Sequence, residues 1–138
     1  MQKKLIFIWT ILLVSCHSFG DSFEKVYYEK ISGIMFPDTY TVLETFDNGE
    51  WLTGTVLKID NATLQKFVAK HHFDVLKNSN DLHFLSNSYL HEYKAEFTET
   101  KNICFLSKSS DKNNWTYVAD LNNNILWAEI IYPDWGGR

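Results

Sequence analysis

Histidine and aspartate side chains are the first groups in this sequence that could do chemistry, because imidazole and carboxylate are good zinc ligands. The set is His71, His72, Asp74, Asp81, His83 and His91. No two of these histidines have the HExxH spacing that places two ligands on one helix face. His71 and His72 are adjacent, and neighbouring residues of a helix point to different sides. We therefore expect ordinary surface or boundary histidines and predict no metal site.

Acidic and hydroxyl side chains raise the question of hydrolysis. Glu92, Glu96 and Asp120 could meet on neighbouring strands, but acidic residues that alternate with apolar ones are typical of the solvated face of a sheet. The serines of residues 107–110 lack the GxSxG context of a nucleophile elbow, and the glycines are too scattered for a phosphate loop. The sequence thus favours a protein that is not an enzyme, with no catalytic residue and no cofactor.

The two cysteines have very different surroundings. Cys104 lies in the apolar run ICFL, where a thiol is most simply a small buried hydrophobic group. Cys16 follows a basic end, Lys3 and Lys4, and the apolar run LIFIWTILLV, which is the layout of a secretory signal. At ~1.5 Å per helical residue this run covers about half of a ~30 Å hydrocarbon core, so we do not expect a permanent transmembrane helix.

The residues Leu13-Val14-Ser15-Cys16 resemble the lipobox of bacterial lipoproteins, in which a branched apolar residue and two smaller ones precede an obligatory cysteine. The resemblance implies cleavage just before Cys16 and a diacylglyceryl thioether on its sulfur, usually with a third acyl chain on the new amino group. Two or three acyl chains hold a protein on a membrane essentially permanently. The lipid bilayer is therefore the partner that the sequence predicts through acylated Cys16.

Two cleavage sites remain possible at the N-terminus, and they lead to different locations. The residue after the cysteine is His17, not the Asp that signals inner-membrane retention in many Gram-negative lipoproteins, so we expect the periplasmic side of the outer membrane. In a Gram-positive host the anchor would be the plasma membrane. Alternatively, Ser18 and Gly20 direct an ordinary signal peptidase to cleave before Asp21, which would give a secreted or periplasmic soluble protein.

Charge and length restrict the rest of the chain. The sequence has 13 basic and 17 acidic residues, and loss of Lys3 and Lys4 with the signal takes the formal net charge from −4 to −6. An acidic surface argues against nucleic acid and against electrostatic adhesion to anionic lipid. We predict a signal peptide at 1–15, a tether at 16–21 and one domain at 22–138, since about 120 residues suffice for one core.

The first half of that domain shows helical periodicity twice, on either side of a hairpin. The first predicted helix is capped by Asp21 or Ser22 and ends at Gly33. Its apolar residues have helical spacing: Phe23, Val26, Tyr27 and Ile31. Alternation through Tyr27, Glu29 and Ile31 leaves a β-strand as the alternative. The runs TYTVLETF and WLTGTVLKI flank Asn48-Gly49, which predicts a β-hairpin. A second helix starts at Asp60 or Asn61 and runs to about Phe73, with the stripe Leu64, Phe67, Val68 and His71.

The second half predicts a meander. Residues 74–88 are rich in Asn, Ser and Asp and indicate an irregular connection, and residues 89–98 alternate as a half-buried strand, with a helix as the alternative. The runs NICFLSK, NWTYVAD and ILWAEIIY follow, separated by short turn-prone loops that favour antiparallel neighbours. The last run is apolar on both faces, which indicates a central strand.

The fold class that follows is α+β, an antiparallel sheet of an N-terminal hairpin and a C-terminal four-strand meander, packed with one or two helices. The order of helix, SGI-x-F-P-D segment, hairpin, helix and meander resembles that of small bacterial envelope proteins of no assigned activity. This resemblance transfers no functional residue.

Aromatic residues supply the candidate binding groups, because their faces stack on sugar rings and anchor protein partners. Trp115 and Trp127 lie within predicted strands, so we assign them to the core. Trp135, in the terminal PDWGGR beyond the last predicted strand, is the best candidate contact residue, and Tyr132 and Trp51 are weaker ones.

Three classes of function remain. We favour a membrane-anchored envelope lipoprotein that acts as a non-enzymatic binding module for an envelope protein or a cell-wall component. The alternative is an inhibitor or immunity-type lipoprotein that neutralises a toxin or lytic enzyme, for which an acidic surface is suitable. A hydrolase whose residues are scattered in the sequence comes last.

Overall fold

In the residues that the structure describes, the protein is an α+β fold in which two helices cover one face of a six-stranded antiparallel sheet. A computed structural model describes residues 23–47, 52–77 and 102–131. The elements are α1 (Lys25–Ser32), β1 (Thr41–Asp47), β2 (Leu52–Lys58), α2 (Asn61–Lys70), β3 (Asp74–Val75), β4 (Ile103–Ser109), β5 (Asn114–Asp120) and β6 (Ile125–Ile131). The predicted fold class is confirmed.

The strand order is β1-β2-β6-β5-β4-β3, and every neighbouring pair is antiparallel. The predicted hairpin is β1–β2, and β4, β5 and β6 form the meander, so the pairing of β2 with β6 joins the two halves. β6 lies between β2 and β5, which confirms the prediction of a central last strand. The strand predicted at residues 89–98 lies outside the described residues, as does Asn48-Gly49.

β3 is a correction to the predicted irregular connection after Asp74. Asp74 and Val75 pair with Phe105 and Cys104 at the edge of the sheet. Two residues are too few to generate a period-two pattern, and this strand exists because β4 offers it an unpaired edge.

Helix α1 begins later than predicted. The N-cap residue is Glu24, whereas the sequence predicted Asp21 or Ser22. Glu24 makes no side-chain cap hydrogen bond. The helix ends as predicted at Gly33, whose φ of 73° is left-handed and whose amide donates to the Glu29 carbonyl at 2.9 Å. Val26 is a second correction, because it is 77% exposed and Tyr28 is the buried residue of the helix.

Helix α2 follows the predicted cap. The Asp60 carboxylate accepts from the Thr63 amide at 3.0 Å, and the stripe residues Leu64 and Phe67 are buried. The helix ends at Lys70 instead of Phe73, because His72 adopts a left-handed φ of 55° that no helix continues through.

Two apolar clusters lie on opposite faces of the sheet. The first face, which bears Leu126, packs against both helices through Tyr28, Phe36, Leu64, Phe67, Trp115 and Tyr117. The second face, which bears Trp127, buries Val56, Leu76, Ile103, Val118 and Ile125. Trp115 and Trp127 are 6% and 1% exposed, so their assignment to the core is confirmed.

Candidate functional site

The residues that the sequence nominated for function lie outside the described parts of the chain. They are the acylation residue Cys16 and the contact candidates Trp51, Tyr132 and Trp135. The strands that lead to the contact candidates are described, and Leu52 of β2 is the register partner of Ile131 of β6. The chain therefore enters β2 and leaves β6 at the same end of the sheet.

A network of hydroxyl groups fastens α1 to the sheet. Tyr117 of β5 donates to the Ser32 hydroxyl at 2.7 Å, and Ser32 donates to the Tyr28 carbonyl at 2.8 Å. The Tyr28 hydroxyl lies 3.2 Å from that of Thr53 on β2. The helix thus crosses the sheet from β2, beside Tyr28, to β5, beside Ser32.

Burial keeps the two tyrosine hydroxyls of this network neutral. Burial is the largest cause that raises the pKa of Tyr28 and of Tyr117 far above the usual value of 10.0, since an ionised phenol would lose its hydration. Ser32 also accepts from the Ile34 amide at 3.0 Å, so its oxygen is engaged on several sides. A serine held in this way positions backbone rather than attacking a substrate.

Ion pairs hold the segment after α1 against the helix. Lys25 Nζ lies 3.0 Å from Asp38 Oδ1 and 3.8 Å from Glu29 Oε1. The Glu29 carboxylate accepts from the Phe36 amide at 2.8 Å. The hydrogen bond to Asp38 is the largest cause of the raised pKa of Lys25. The segment from Gly33 to Asp38 is therefore tied back onto α1.

An aromatic cluster closes this side of the first face. We define the Phe23 cluster as Phe23, Tyr28, Phe36 and Tyr40, whose last three ring centroids lie 5.2, 5.3 and 5.4 Å from that of Phe23. Such edge and tilted contacts are favourable geometries for aromatic pairs. Phe23, the first described residue, is thus already part of the folded core.

Exposed apolar side chains border the Phe23 cluster. Val26 follows Phe23 by three residues and is 77% exposed, and Val42 and Leu43 follow Tyr40 and are each 41% exposed. Val42 pairs with Leu57, whereas Leu43 is the extra residue of a β-bulge in the edge strand β1. These residues are close in sequence to members of the Phe23 cluster, and Met35 is a further exposed apolar residue at 57%.

Two buried carboxylates were missed by sequence reasoning, which placed acidic residues on the solvated face of the sheet. Asp120 is 2% exposed and accepts from the amides of Asn122 and Asn123 at 2.9 and 3.0 Å, which fixes the β5–β6 turn. Glu129 is 2% exposed on the second face, where its register partners are Gly54 and Thr116. The signal in the sequence was a single acidic residue inside the apolar run ILWAEIIY.

The thiol and imidazole groups behave as the sequence predicts where they are described. Cys104 is buried in β4, and desolvation raises the pKa of its thiol, which disfavours the nucleophilic thiolate. His71 packs on Phe67 with ring centroids 4.9 Å apart, while His72 is exposed. Within residues 23–47, 52–77 and 102–131 no three His, Cys, Asp or Glu side chains come together as a metal site. His83 and His91 lie outside these ranges.

Comparisons with known proteins found no relative: no family model matches the chain, and neither a curated protein nor a solved structure matches it. This agrees with the expectation that no named family of known activity applies. Neither of the two described helices has the length and apolar character needed to cross a bilayer.

Proposed function

We propose that the protein is an envelope lipoprotein, acylated at Cys16, whose α+β domain is a non-enzymatic binding module at the membrane surface. One observation carries the proposal: the lipobox-like residues 13–16 are followed within seven residues by Phe23, a ring that already packs in the folded core. A domain that folds this soon after the cysteine is held at the bilayer by its anchor.

The length of the tether limits how far the domain can stand from the membrane. Phe23 is seven residues beyond Cys16, and an extended chain spans at most ~3.3–3.6 Å per residue, or about 25 Å in total. This distance is smaller than a small domain's own width. A partner must therefore be recruited at the membrane surface.

The contact surface that we assign to this module contains Trp135, Tyr132 and Trp51. The pairing of Leu52 with Ile131 supports this grouping, because Trp51 directly precedes one of these residues and Tyr132 directly follows the other. Aromatic side chains at one end of a sheet suit an envelope protein or the sugar rings of the cell wall.

The described hydroxyl and thiol groups favour binding over catalysis. Ser32 is engaged with Tyr117 and the α1 backbone, and the Cys104 thiol is buried with a raised pKa. Each of these groups has a structural explanation in the packing of α1 or β4.

The anchoring is tested by the intact mass and membrane partition of the full chain expressed in a bacterium, compared with Cys16→Ala. Cys104→Ala is the matched control, because it removes the other cysteine. We expect the wild type and Cys104→Ala to begin at residue 16, carry acyl mass and partition into detergent, and Cys16→Ala to lose the acyl mass. A water-soluble wild type that begins at Asp21 would refute the proposal.

The binding role is tested by crosslinking the anchored protein in cells, with Trp135→Ala and Tyr132→Ala beside wild type. We expect one crosslinked envelope component that both variants lose at least in part. Recovery of a basic toxin or lytic enzyme, suited to the net charge of −6, would support the inhibitor alternative instead.

A further inference from the structure

The second face of the sheet is buried, although both described helices pack on the first face. Every residue of the second-face cluster lies in a strand, except Leu76, which follows β3 directly. Val56 and Val118 are nevertheless fully buried there, and Trp127 is 1% exposed. Neighbouring strands shield only the flanks of such side chains, so a further layer of chain must lie over them.

The covering layer belongs to the same chain, because this burial is present in a single molecule. The segments outside the described residues that could supply the layer are 1–22, 48–51, 78–101 and 132–138. Segment 1–22 enters the domain on the first face, where Phe23 packs. The other three segments differ in where they join the sheet and in their length.

Two of these segments join the sheet at the end far from the cluster. Residues 48–51 precede Leu52 and residues 132–138 follow Ile131, and Leu52 and Ile131 are register partners. Ile125, a member of the second-face cluster, lies at the other end of β6, about 20 Å away at ~3.4 Å per residue. Seven extended residues reach at most about 25 Å, so residues 132–138 do not spread across the width of the cluster.

Residues 78–101 join the sheet at the cluster itself. The Leu76 amide donates to the Ile103 carbonyl at 2.9 Å, and both residues belong to the second-face cluster. Half of this segment, about 12 residues, reaches about 40 Å when extended, whereas the three strand spacings from β2 to β4 measure about 14 Å. The segment is therefore long enough to cross the face and return. Its apolar residues include Leu82, Phe84, Leu85, Leu90, Tyr93 and Phe97.

We infer that residues 78–101 form the layer that covers the second face of the sheet. The domain then has three layers, in which the helices and this segment lie on opposite sides of the sheet. The second face is consequently not a docking surface for a partner or for a second copy of the chain. The inference does not depend on acylation of Cys16.

Photocrosslinking of the full chain tests which segment lies on the second face. Phe105 and Leu106 are adjacent half-buried residues of β4 that pack on the second and the first face, respectively. Each is replaced in turn by p-benzoylphenylalanine, and the tryptic peptides of the irradiated protein are mapped by mass spectrometry. We expect position 105 to crosslink to residues 78–101 and position 106 to residues of the first-face cluster. Trypsin releases the segment as separate peptides, because it cuts after Lys77, Lys94 and Lys101.

The crosslinked product decides the assignment. Crosslinks from position 105 to residues 1–22, to residues 132–138 or to a second molecule would give the layer to that occupant and overturn the inference. A folded protein that crosslinks at position 106 but not at position 105 would show a second face without a cover and would overturn it as well.

Oxidation by hydroxyl radicals gives a second measurement, which decides the question if the larger side chain at position 105 prevents folding. Tyr93 and Phe97 share a face whether residues 89–98 form a strand or a helix, so Tyr93→Ser with Phe97→Ser weakens the layer in both cases. We expect oxidation of Trp127 to rise at least about twofold relative to that of Trp115, which lies on the first face.

Glu92→Ser with Glu96→Ser is the matched control, because these residues alternate with the apolar ones of the same stretch. We expect this control to leave the ratio of Trp127 to Trp115 oxidation as it is in the wild type. The same unchanged ratio in a folded protein with both Tyr93→Ser and Phe97→Ser would overturn the inference.

Discussion

Tyr117 donates a hydrogen bond of 2.7 Å to Ser32, and this contact joins the last turn of α1 to β5 across 85 residues of sequence. Tyr117 is fully buried and its ring also packs against Phe36 at 5.3 Å. Together with the Tyr28–Thr53 contact on β2, this side chain of the meander fixes the position of α1.

Tyr117→Phe is expected to destabilise the protein by about 1 kcal/mol, the usual net value of one hydrogen bond. The ring packing is kept, and Ser32 still donates to Tyr28 and accepts from Ile34, so no buried group is orphaned. Urea denaturation measures the change. Tyr40→Phe, which removes the hydroxyl of a half-buried tyrosine, is the control. An equal loss of stability in both variants would contradict the role given to Tyr117.

Gly33→Ala is expected to lower the free energy of unfolding by ~1–2 kcal/mol. Gly33 has a φ of 73°, a left-handed conformation that is unfavourable for a residue with a Cβ atom. No atom lies within 4 Å of the Cβ that alanine would add, so the cost is conformational and not steric. Gly33→Asn should cost less, since asparagine tolerates the left-handed region better. Equal unfolding free energies for the wild type and both variants would show that the helix does not need this conformation.

The parts of the fold that could be predicted are those fixed by local pattern. The β1–β2 hairpin has two β-rich runs around a turn signal, and β6 has apolar residues on both faces because an apolar cluster lies on each face of the sheet. Trp115 and Trp127 were assigned to the core for the same reason, and they are buried on opposite faces. The two-residue spacing of apolar side chains in a strand and the 3.6-residue spacing in a helix are each visible within a single element. They can therefore be recognised without knowing which other elements that element packs against.

The parts that failed depend on contacts distant in sequence. In α1 both Val26 and Tyr28 are suited to burial. Tyr28 is the one that is buried, and its hydroxyl contacts that of Thr53 on β2, a residue distant in sequence. The end of α2 depends on a left-handed conformation at His72 that no sequence rule requires. Glu129 is 2% exposed in β6, the strand between β2 and β5, and this position could not be foreseen without the order of the strands.

The candidate site divides in the same way. The anchoring motif at Cys16 is a local signal and could be read directly, although it lies outside the described residues. The Phe23 cluster could not be predicted from the sequence, because Phe23 and Tyr40 meet through tertiary packing.

Asp60 is expected to stabilise α2 in a pH-dependent way. Its hydrogen bonds with Thr63 lower the pKa of its carboxyl below the usual 3.8, so its contribution is present above that value and is lost as the pH falls through the lower pKa of the folded state. Asp60→Ala should lower the urea midpoint at pH 7, whereas Asp60→Asn should keep a capping oxygen and remain close to wild type. A loss of stability as large in Asp60→Asn as in Asp60→Ala would exclude the cap as its cause.

His71 is expected to make the protein less stable below about pH 6.5. Burial is the largest cause that lowers the pKa of the imidazole from its usual 6.5, and one ring contact is with Phe67. The Nε2 atom is buried with no hydrogen-bond partner among the described residues. Lys70 and His72, which face it from its own end of α2, lower the pKa further, while the Met35 backbone opposes them.

The sign of the effect follows from proton binding. Between the lowered pKa of the folded state and pH 6.5 the unfolded chain binds a proton at His71 that the folded chain does not, so stability falls as the pH is reduced through this window. His71→Gln should flatten the fall measured by urea denaturation between pH 7 and pH 5, whereas a variant that keeps His71, such as His72→Gln, should retain a fall over the same window. If His71→Gln retained the whole wild-type pH dependence, the fall would originate in other groups and the buried imidazole would have no part in it.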